Sequence, residues 1–226
     1  EISACLVGSE MCIRDRLYDT QLKMAYWVAY PLCNYYTAKN VKRTNAWAYD
    51  PSLSSEEQAT MKRGLNGYDR GHQIPSADRL VTREANEQTF YYTNMTPQIG
   101  KGMNQHIWQK LETAVRGWSS NIDTLYVVTG AMPTTPENTT ISYTQDNDGK
   151  QIAVPKYYFK ALCRINRATG EAQTIAFKLD NRAYPNGESY MNHTLSVAEL
   201  ERMTGFVFFP MIREQDKQTY DKSKWN

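Results

Sequence analysis

The sequence predicts an α+β fold with a mostly antiparallel central sheet flanked by helices. Strand-like runs cluster in the first and last thirds of the chain, and the clearest helical patterns lie between them. The 16 tyrosines and 5 tryptophans are typical of aromatic-rich strands. The 226 residues show no internal repeat and no long linker, which predicts one domain with a sizeable core.

We expect this domain to occupy residues 17–213, followed by a polar tail at 214–226 that frays. The segment 1–16 is expected to be non-native or disordered, because residues 4–16 resemble a translated sequencing adapter. No secretory signal pattern is visible. No apolar run is long enough to span a membrane, so no membrane contact is expected. The net charge of +2 neither indicates nor excludes a polyanionic partner.

Strands are predicted where β-forming residues dominate, at residues 21–33, 124–132, 152–165 and 172–179. The stretch 133–150 is rich in Thr, Pro, Asn, Asp and Gly and is interpreted as a long loop. A final apolar run at 206–210 indicates a strand or an extended segment.

Helices are predicted from caps and from apolar residues at helical spacing. Thr82 precedes a helix at 83–91, and the clearest helix runs from Met103 to Trp118. A capping box opens a helix at Ser196 that ends before Gly205. The turn at 50–57 is expected to lead into a further short helix.

The four cysteines do not fix the redox compartment. None forms a CxxC pair, so a zinc ribbon is disfavoured. Cys33 and Cys163 lie in strand-like runs, where two buried thiols and one disulfide both remain open. No function is assigned to Cys5 or Cys12.

The chemistry is concentrated in two stretches, and the first is Asp69-Arg70-Gly71-His72. A histidine titrates near neutral pH and can take a proton from water. Arg70 is two residues away, so in an extended segment both side chains face the same side. An arginine there can neutralise charge that grows on a phosphate during hydrolysis. The alternative for Arg70 is a surface ion pair with Asp69.

The second stretch carries Asn104 and Glu112 on one helical pattern. Eight residues span about 12 Å of rise on a straight helix, so both side chains cannot ligate one metal directly. One of them would act through water, which suits Mg²⁺ because this ion keeps most of its waters. The alternative is a solvated helix face. His106 lies on another side of the helix, and His193 is expected at the surface.

In this order, the residues 69–72, 93–98 and 104–112 resemble the DNA/RNA non-specific endonuclease family, the ββα-metal nucleases. That family includes bacterial extracellular nucleases and mitochondrial endonuclease G. The resemblance covers roughly residues 20–210. It implies a ββα-metal motif within the α+β fold and a nuclease that hydrolyses phosphodiester bonds of DNA and RNA and leaves 5′-phosphates.

The resemblance also implies roles for the residues of both stretches. His72 would be the general base and Arg70 would stabilise the transition state. Asn104 would be the direct ligand of Mg²⁺, or of Mn²⁺ or another divalent cation in its place. Glu112 would hold a metal-bound water.

Substrate contacts follow from the same resemblance and from the basic loop 37–45. Arg43 would bind phosphate, and Lys42 and Lys101 would line the approach. Asn94 is also assigned to substrate binding, from a position behind the metal site. A secreted or periplasmic bacterial enzyme, with a homodimer as one option, is expected. The competing hypothesis is a catalytically inactive nucleic-acid-binding module of the same fold.

Overall fold

A six-stranded antiparallel sheet forms the centre of the computed structural model, which describes residues 15–120, 122–166 and 168–225. Its strand order is β1-β2-β5-β8-β9-β10, and two separate two-stranded ribbons are formed by β3-β4 and β6-β7. The strands are β1 (Asp15–Asp19), β2 (Met24–Leu32), β3 (Asp69–His72), β4 (Met95–Gln98), β5 (Leu125–Met132), β6 (Ser142–Gln145), β7 (Gln151–Val154), β8 (Tyr157–Ile165), β9 (Ala172–Asp180) and β10 (Thr194–Leu195).

The helices are short and lie on both sides of the sheet. The α-helices are α1 (Asn34–Thr37), α2 (Arg83–Gln88), α3 (Gln109–Ser119), α4 (Val197–Thr204) and α5 (Glu214–Gln218). A π-helical segment (Gly100–Trp108) leads into α3, and 3₁₀ turns are formed by Ser76–Asp78, Tyr92–Asn94, Tyr190–His193 and Lys222–Trp225. Within the described ranges, no helix has the length and apolar character needed to cross a membrane.

The two faces of the sheet bury different helices. Leu111 and Val115 of α3 pack with Leu162 of β8 in the larger core. On the opposite face, Leu200 of α4 packs with Phe159 of the same strand. Because β5 and β8 are covered on both faces, their sequences are nearly continuous apolar runs rather than alternating ones. The predicted α+β class with an antiparallel sheet is confirmed.

Several predicted elements end where their local signals place them. Thr82 caps α2 through a hydrogen bond from the backbone N–H of Ala85. Ser196 and Glu199 form the predicted capping box of α4, and Gly205 ends this helix with φ of 75°. These signals are local, so burial elsewhere does not change them.

Other expectations fail for identifiable reasons. The stretch 133–150, interpreted as a loop, contains β6, which pairs with β7 in a hairpin. The run 152–165 is two strands rather than one, because Pro155 cannot donate to a ladder and separates β7 from β8. Of the two alternatives for 206–210, the strand is not formed, and Phe209 has φ of 50°. No helix follows the turn at 50–57.

Regular structure begins before residue 17 and continues beyond residue 213. Strand β1 begins at Asp15, and Arg16 forms an ion pair with the buried Asp50 and donates to Thr93 Oγ1 at 2.7 Å. Residues 1–14 lie outside the described residues. In the expected tail, residues Glu214–Gln218 form α5. Trp225 is buried in the larger core, because its large apolar ring favours burial although the residues around it in sequence are polar.

Cys33 and Cys163 are free thiols, so the disulfide alternative is not realised in the structure. Burial raises the pKa of the Cys163 thiol to about 12. This thiol therefore stays protonated and packs as a small apolar group.

Trp225 tests the contribution of the C-terminal segment to the core. Its ring lies 5.5 Å from that of Trp118, and the Arg164 guanidinium lies 4.4 Å from its centroid. We expect Trp225→Ala to lower the free energy of unfolding by about 3–5 kcal/mol, because a large ring is removed from a packed site. Urea denaturation measures this change. The control Met211→Ala, at a residue 93% exposed, should change it by less than about 0.5 kcal/mol. Equal midpoints for Trp225→Ala and the parent would contradict the expectation.

Candidate active site

Strand β3 places two side chains of the motif in one cleft. Arg70 and His72 both line it, because the strand stays extended through Gly71 and so keeps residues two apart on the same side. Gly71 itself faces Gln98 of β4, where an added Cβ would lie 2.5 Å from Gln98 Oε1. A side chain at position 71 would therefore push the β3-β4 ribbon apart.

Two aromatic rings pack against the imidazole of His72. The ring centroids of Trp47 and Phe90 lie 5.6 Å and 5.4 Å from that of the imidazole, both edge-on. Burial, together with the positive charges of Arg43 and Arg70, lowers the pKa of His72 to about 3, and a hydrogen bond with the Arg70 backbone partly opposes this shift. The imidazole is therefore neutral at physiological pH, which is the form that accepts a proton. Its Nε2 is buried and has no hydrogen-bond partner among the described groups.

Arg70 is held by carbonyl groups and by a ring. Its Nη1 donates to the backbone oxygens of Met61 at 3.2 Å and Lys62 at 2.8 Å. Its guanidinium carbon lies 3.3 Å from the centroid of the Trp47 ring. Within the described ranges no ion pair joins Arg70 to a carboxylate, so the alternative of a pair with Asp69 is not observed. The positive charge of Arg70 is thus available to an anion in the cleft.

Asp69 instead connects β3 to the helix that follows β4. Its Oδ2 accepts hydrogen bonds from Asn104 Nδ2 at 3.0 Å and from Gln105 Nε2 at 2.8 Å. Because the amide nitrogen of Asn104 is used in this way, Oδ1 is the atom that can ligate a cation. The carboxylate therefore fixes which end of the Asn104 amide is offered to a metal.

The helix bearing Asn104 begins with a π-helical turn. The backbone N–H of Asn104 donates to the carbonyl of Ile99 at 2.9 Å, five residues earlier. Just before it, Gly102 has φ of 83° and lies close to Ala183 and Tyr184. This geometry departs from the straight α-helix on which the predicted separation of Asn104 and Glu112 was based. Both residues line the same cleft.

Glu112 lies in the cleft above a cluster of charged groups. Burial, with a smaller contribution from Asp78, raises the pKa of its carboxyl to about 7 against the opposing positive charges of Lys160 and Arg116. Lys160 is fully buried and donates to Thr129 Oγ1 at 3.1 Å. Arg116 donates to Asp78 Oδ1 at 2.8 Å. The ionisation of Glu112 therefore depends on the positively charged side chains beside it.

The donor set of the cleft fits a hard divalent cation. Asn104 offers an amide oxygen and Glu112 a carboxylate, and oxygen donors of this kind suit Mg²⁺. In the part of the chain described, no cluster of three or more His, Cys, Asp and Glu side chains could form a closed metal cage. A cation in this cleft would therefore have few protein ligands and would retain water, as Mg²⁺ usually does.

Not all of the predicted substrate-binding residues reach the cleft. Arg43 lines it, with its guanidinium 4.7 Å from the centroid of the Phe90 ring. Lys42 and Lys101 are exposed and lie outside the lining residues. Asn94 is 1% exposed, and its amide hydrogen-bonds the backbone N–H and C=O of Ile74. The side chain of Asn94 is thus used to hold the segment that follows His72, and its assignment to substrate binding stays a prediction.

Sequence reasoning missed several residues of the site. Arg116 lies four residues after Glu112 and so on the same helix face, a spacing that signals it. Trp47 gives no such signal, because it approaches His72 and Arg70 only through tertiary packing. Lys160 sits in an apolar run, where a single lysine marks a buried charge that needs partners.

Comparison with known proteins identifies the architecture around this cleft. A family model described as DNA/RNA non-specific endonuclease matches residues 14–215. The chain belongs to the DNA/RNA non-specific endonuclease family. Members of this family are metal-dependent nucleases, which hydrolyse phosphodiester bonds. The resemblance drawn from the motifs is confirmed.

Individual relatives agree with this assignment. The mitochondrial nuclease of Saccharomyces cerevisiae is 28% identical over 217 residues, and the match covers 91% of this chain and 66% of that protein. The nuclease of Syncephalastrum racemosum is 31% identical over 208 residues, which cover 86% of this chain and 65% of that protein. The chain thus spans just under two thirds of the length of both relatives.

A solved structure has the same fold. EndoG in a complex with EndoGI, in a crystal structure that addresses the mechanism of EndoG inhibition, superposes with a TM-score of 0.72 at 24% identity. The match covers 91% of this chain and 86% of that one.

The expectation of a secreted or periplasmic location is wrong on these comparisons. Relatives from Saccharomyces cerevisiae, Schizosaccharomyces pombe and Bos taurus are named as mitochondrial nucleases.

The neutral His72 should make stability depend on pH. Its native pKa of about 3 lies below the ordinary value of 6.5, so the unfolded chain takes up this proton first. The contribution of neutral His72 to the free energy of unfolding is fully present above about pH 6.5 and is lost as the pH falls towards about 3. We expect the free energy of unfolding to fall more steeply for the parent than for His72→Gln between about pH 7.5 and about pH 5. Urea unfolding in a chelating buffer measures both slopes, and parallel slopes would refute a neutral buried His72.

Proposed function

We propose that this protein is a sugar-non-specific endonuclease that hydrolyses phosphodiester bonds of DNA and RNA. The observation that carries the proposal is the convergence of His72, Arg70, Asn104, Glu112 and Arg43 on one cleft, although they are spread over 70 positions of the chain. A nuclease domain, expected over residues 17–213, would carry this activity.

His72 acts as the general base in this proposal. The neutral imidazole accepts a proton from a water that attacks phosphorus in line. Trp47 and Phe90 hold the ring in place, so little reorientation is needed at the moment of attack. The bond between phosphorus and the 3′ oxygen breaks, this oxygen takes up a proton from solvent water, and the product carries a 5′-phosphate.

Arg70 and Arg43 stabilise the phosphate as its charge grows. Arg70 directs its guanidinium at the cleft from a fixed position, and a preorganised cation of this kind costs no reorganisation during the reaction. Arg43 provides a second planar donor group at the same opening, and such a group matches phosphate oxygens.

Asn104 and Glu112 would hold Mg²⁺, or Mn²⁺ or another divalent cation in its place. When bound, the cation supplies positive charge to the phosphate and to the leaving oxygen. Asn104 would be the direct ligand, and Glu112 would act through water. The Asp69 hydrogen bond keeps Asn104 Oδ1 directed for this role. The pKa of Glu112, raised by burial, is expected to fall once a cation is bound nearby.

Recognition in this proposal uses the phosphate backbone of the nucleic acid. Arginine side chains dominate the charged lining of the cleft, and they contact phosphates of any sequence or sugar. Lys42 and Lys101 would meet the substrate only outside the cleft, along the approach. A homodimer remains a prediction from the family resemblance.

Cleavage of plasmid DNA and of RNA in the presence of Mg²⁺ tests the proposed activity. We expect His72→Ala to reduce the rate by about 10²–10⁴-fold, because the base for the attacking water is removed. The control His193→Ala should retain the parental rate, since His193 pairs with Glu188 at 3.0 Å and does not line the cleft.

Two results would overturn this assignment. Equal rates for His72→Ala and the parent would show that another group is the base. Salt-sensitive binding by the parent without metal-dependent cleavage would favour the catalytically inactive binding module instead.

The role of Arg43 predicts a change in the salt dependence of binding. We expect Arg43→Ala, in the His72→Ala background, to reduce the slope of log K against log salt by about 1, as the loss of one phosphate contact requires. Fluorescence anisotropy with a duplex in a chelating buffer measures the slope. Arg83→Ala is the matched control, because Arg83 is exposed and pairs with Glu87 at 2.7 Å outside the cleft. An unchanged slope for Arg43→Ala would remove Arg43 from the binding site.

A further inference from the structure

The tip of the β6-β7 hairpin, residues 146–150, is attached to the loop 58–63. The hairpin tip lines no part of the cleft. The backbone N–H of Asn147 donates to the carbonyl of Thr60 at 3.0 Å, and the N–H of Arg63 donates to Asn147 Oδ1 at 2.9 Å. Lys150 Nζ donates to the carbonyl of Gln58 at 2.8 Å. The loop is therefore tied to the hairpin along its whole length.

Asp146 is the central residue of this attachment. It is 7% exposed, and both of its carboxylate oxygens accept hydrogen bonds from backbone N–H groups. Oδ2 accepts from Thr60 at 2.7 Å. Oδ1 accepts from Asp148 at 2.9 Å and from Lys150 at 2.8 Å, which shapes the turn. One side chain thus fixes the hairpin tip and joins it to the loop.

The loop in turn fixes Arg70. The carbonyls that accept from Arg70 Nη1 belong to Met61 and Lys62, the two residues directly after Thr60. The Met61 side chain is fully buried in one cluster with Ile152 of β7, so the loop and the hairpin also share apolar packing. The position of the Arg70 guanidinium therefore depends on where the hairpin holds residues 60–62.

We propose that Asp146 is a positioning residue for Arg70, acting through Thr60 and the carbonyls of Met61 and Lys62. This inference rests on the proposed nuclease function. The proposal gives the β6-β7 hairpin a role in catalysis although it is remote from the cleft in sequence and does not line it. A misplaced catalytic group loses much of its effect even when substrate still binds.

The chemistry of position 146 explains why a carboxylate is needed there. All three of its hydrogen-bond donors are backbone N–H groups, so both oxygens must accept. An asparagine has one accepting oxygen and one donating nitrogen. Asp146→Asn keeps the size and shape of the side chain. Its amide nitrogen would nevertheless face the N–H of Thr60 or the N–H groups of the turn at 148–150, so that two donors would meet.

A double-mutant cycle tests the proposal on the full chain with Mg²⁺ and a plasmid substrate. We expect Asp146→Ala and Asp146→Asn each to lower kcat about tenfold, with KM changed less than about twofold. In the Arg70→Ala background the same changes should lower kcat less than about twofold, because the residue they act through is gone. A purely structural role would lower activity equally in both backgrounds.

Asn166→Ala provides a matched control. Asn166 Oδ1 accepts from the N–H of Ala168 at 3.0 Å in the β8-β9 hairpin turn, and none of the described residues of this turn hydrogen-bonds to the loop 58–63. We expect parental kcat for this variant. Thermal unfolding confirms that each protein is folded at the assay temperature.

The outcomes separate this inference from the proposed function. If the parent does not cleave nucleic acid, the proposed function fails. If the parent cleaves but the Asp146 changes are additive with Arg70→Ala, or leave kcat unchanged, the positioning role is wrong.

Discussion

The carboxylate of Asp69 joins the two halves of the site. It lies in β3 beside Arg70 and accepts hydrogen bonds from Asn104 and Gln105 on the helix that follows β4. This carboxylate thus links the ribbon that carries Arg70 and His72 to the helix that carries the oxygen donor of Asn104. The nearby Gly100 leaves room for it, since a Cβ there would lie 2.8 Å from Asp69 Oδ1. The rest of the cleft is arranged around this contact.

Buried charge is the second feature that the site must accommodate. Glu112, Lys160, Asp78 and Arg116 lie together between α3 and the sheet, where each isolated charge would be costly. Tyr30 donates to Asp78 Oδ2 at 2.9 Å and adds a neutral partner. The group keeps the Glu112 carboxylate at the edge of an apolar core.

Sequence reasoning recovered the features that local chemistry determines. The fold class, the caps of α2 and α4, and the residues that converge on the cleft follow from periodicity and from motifs. It failed where tertiary packing decides. Trp47 approaches His72 from a distant loop, Trp225 is buried despite its polar surroundings, and the π-helical start at Asn104 replaces the assumed straight helix. None of these has a signature within its own few neighbouring residues.

The basicity of His72 depends on burial and on the two arginines near it. The charges of Arg43 and Arg70 help to keep the pKa of His72 low. A nucleic acid brings phosphates that offset these charges. The imidazole is therefore a poor proton acceptor in the free protein and a better one when a phosphodiester lies against it. In the proposed mechanism, the charge of the substrate would therefore make His72 a stronger base for the attacking water.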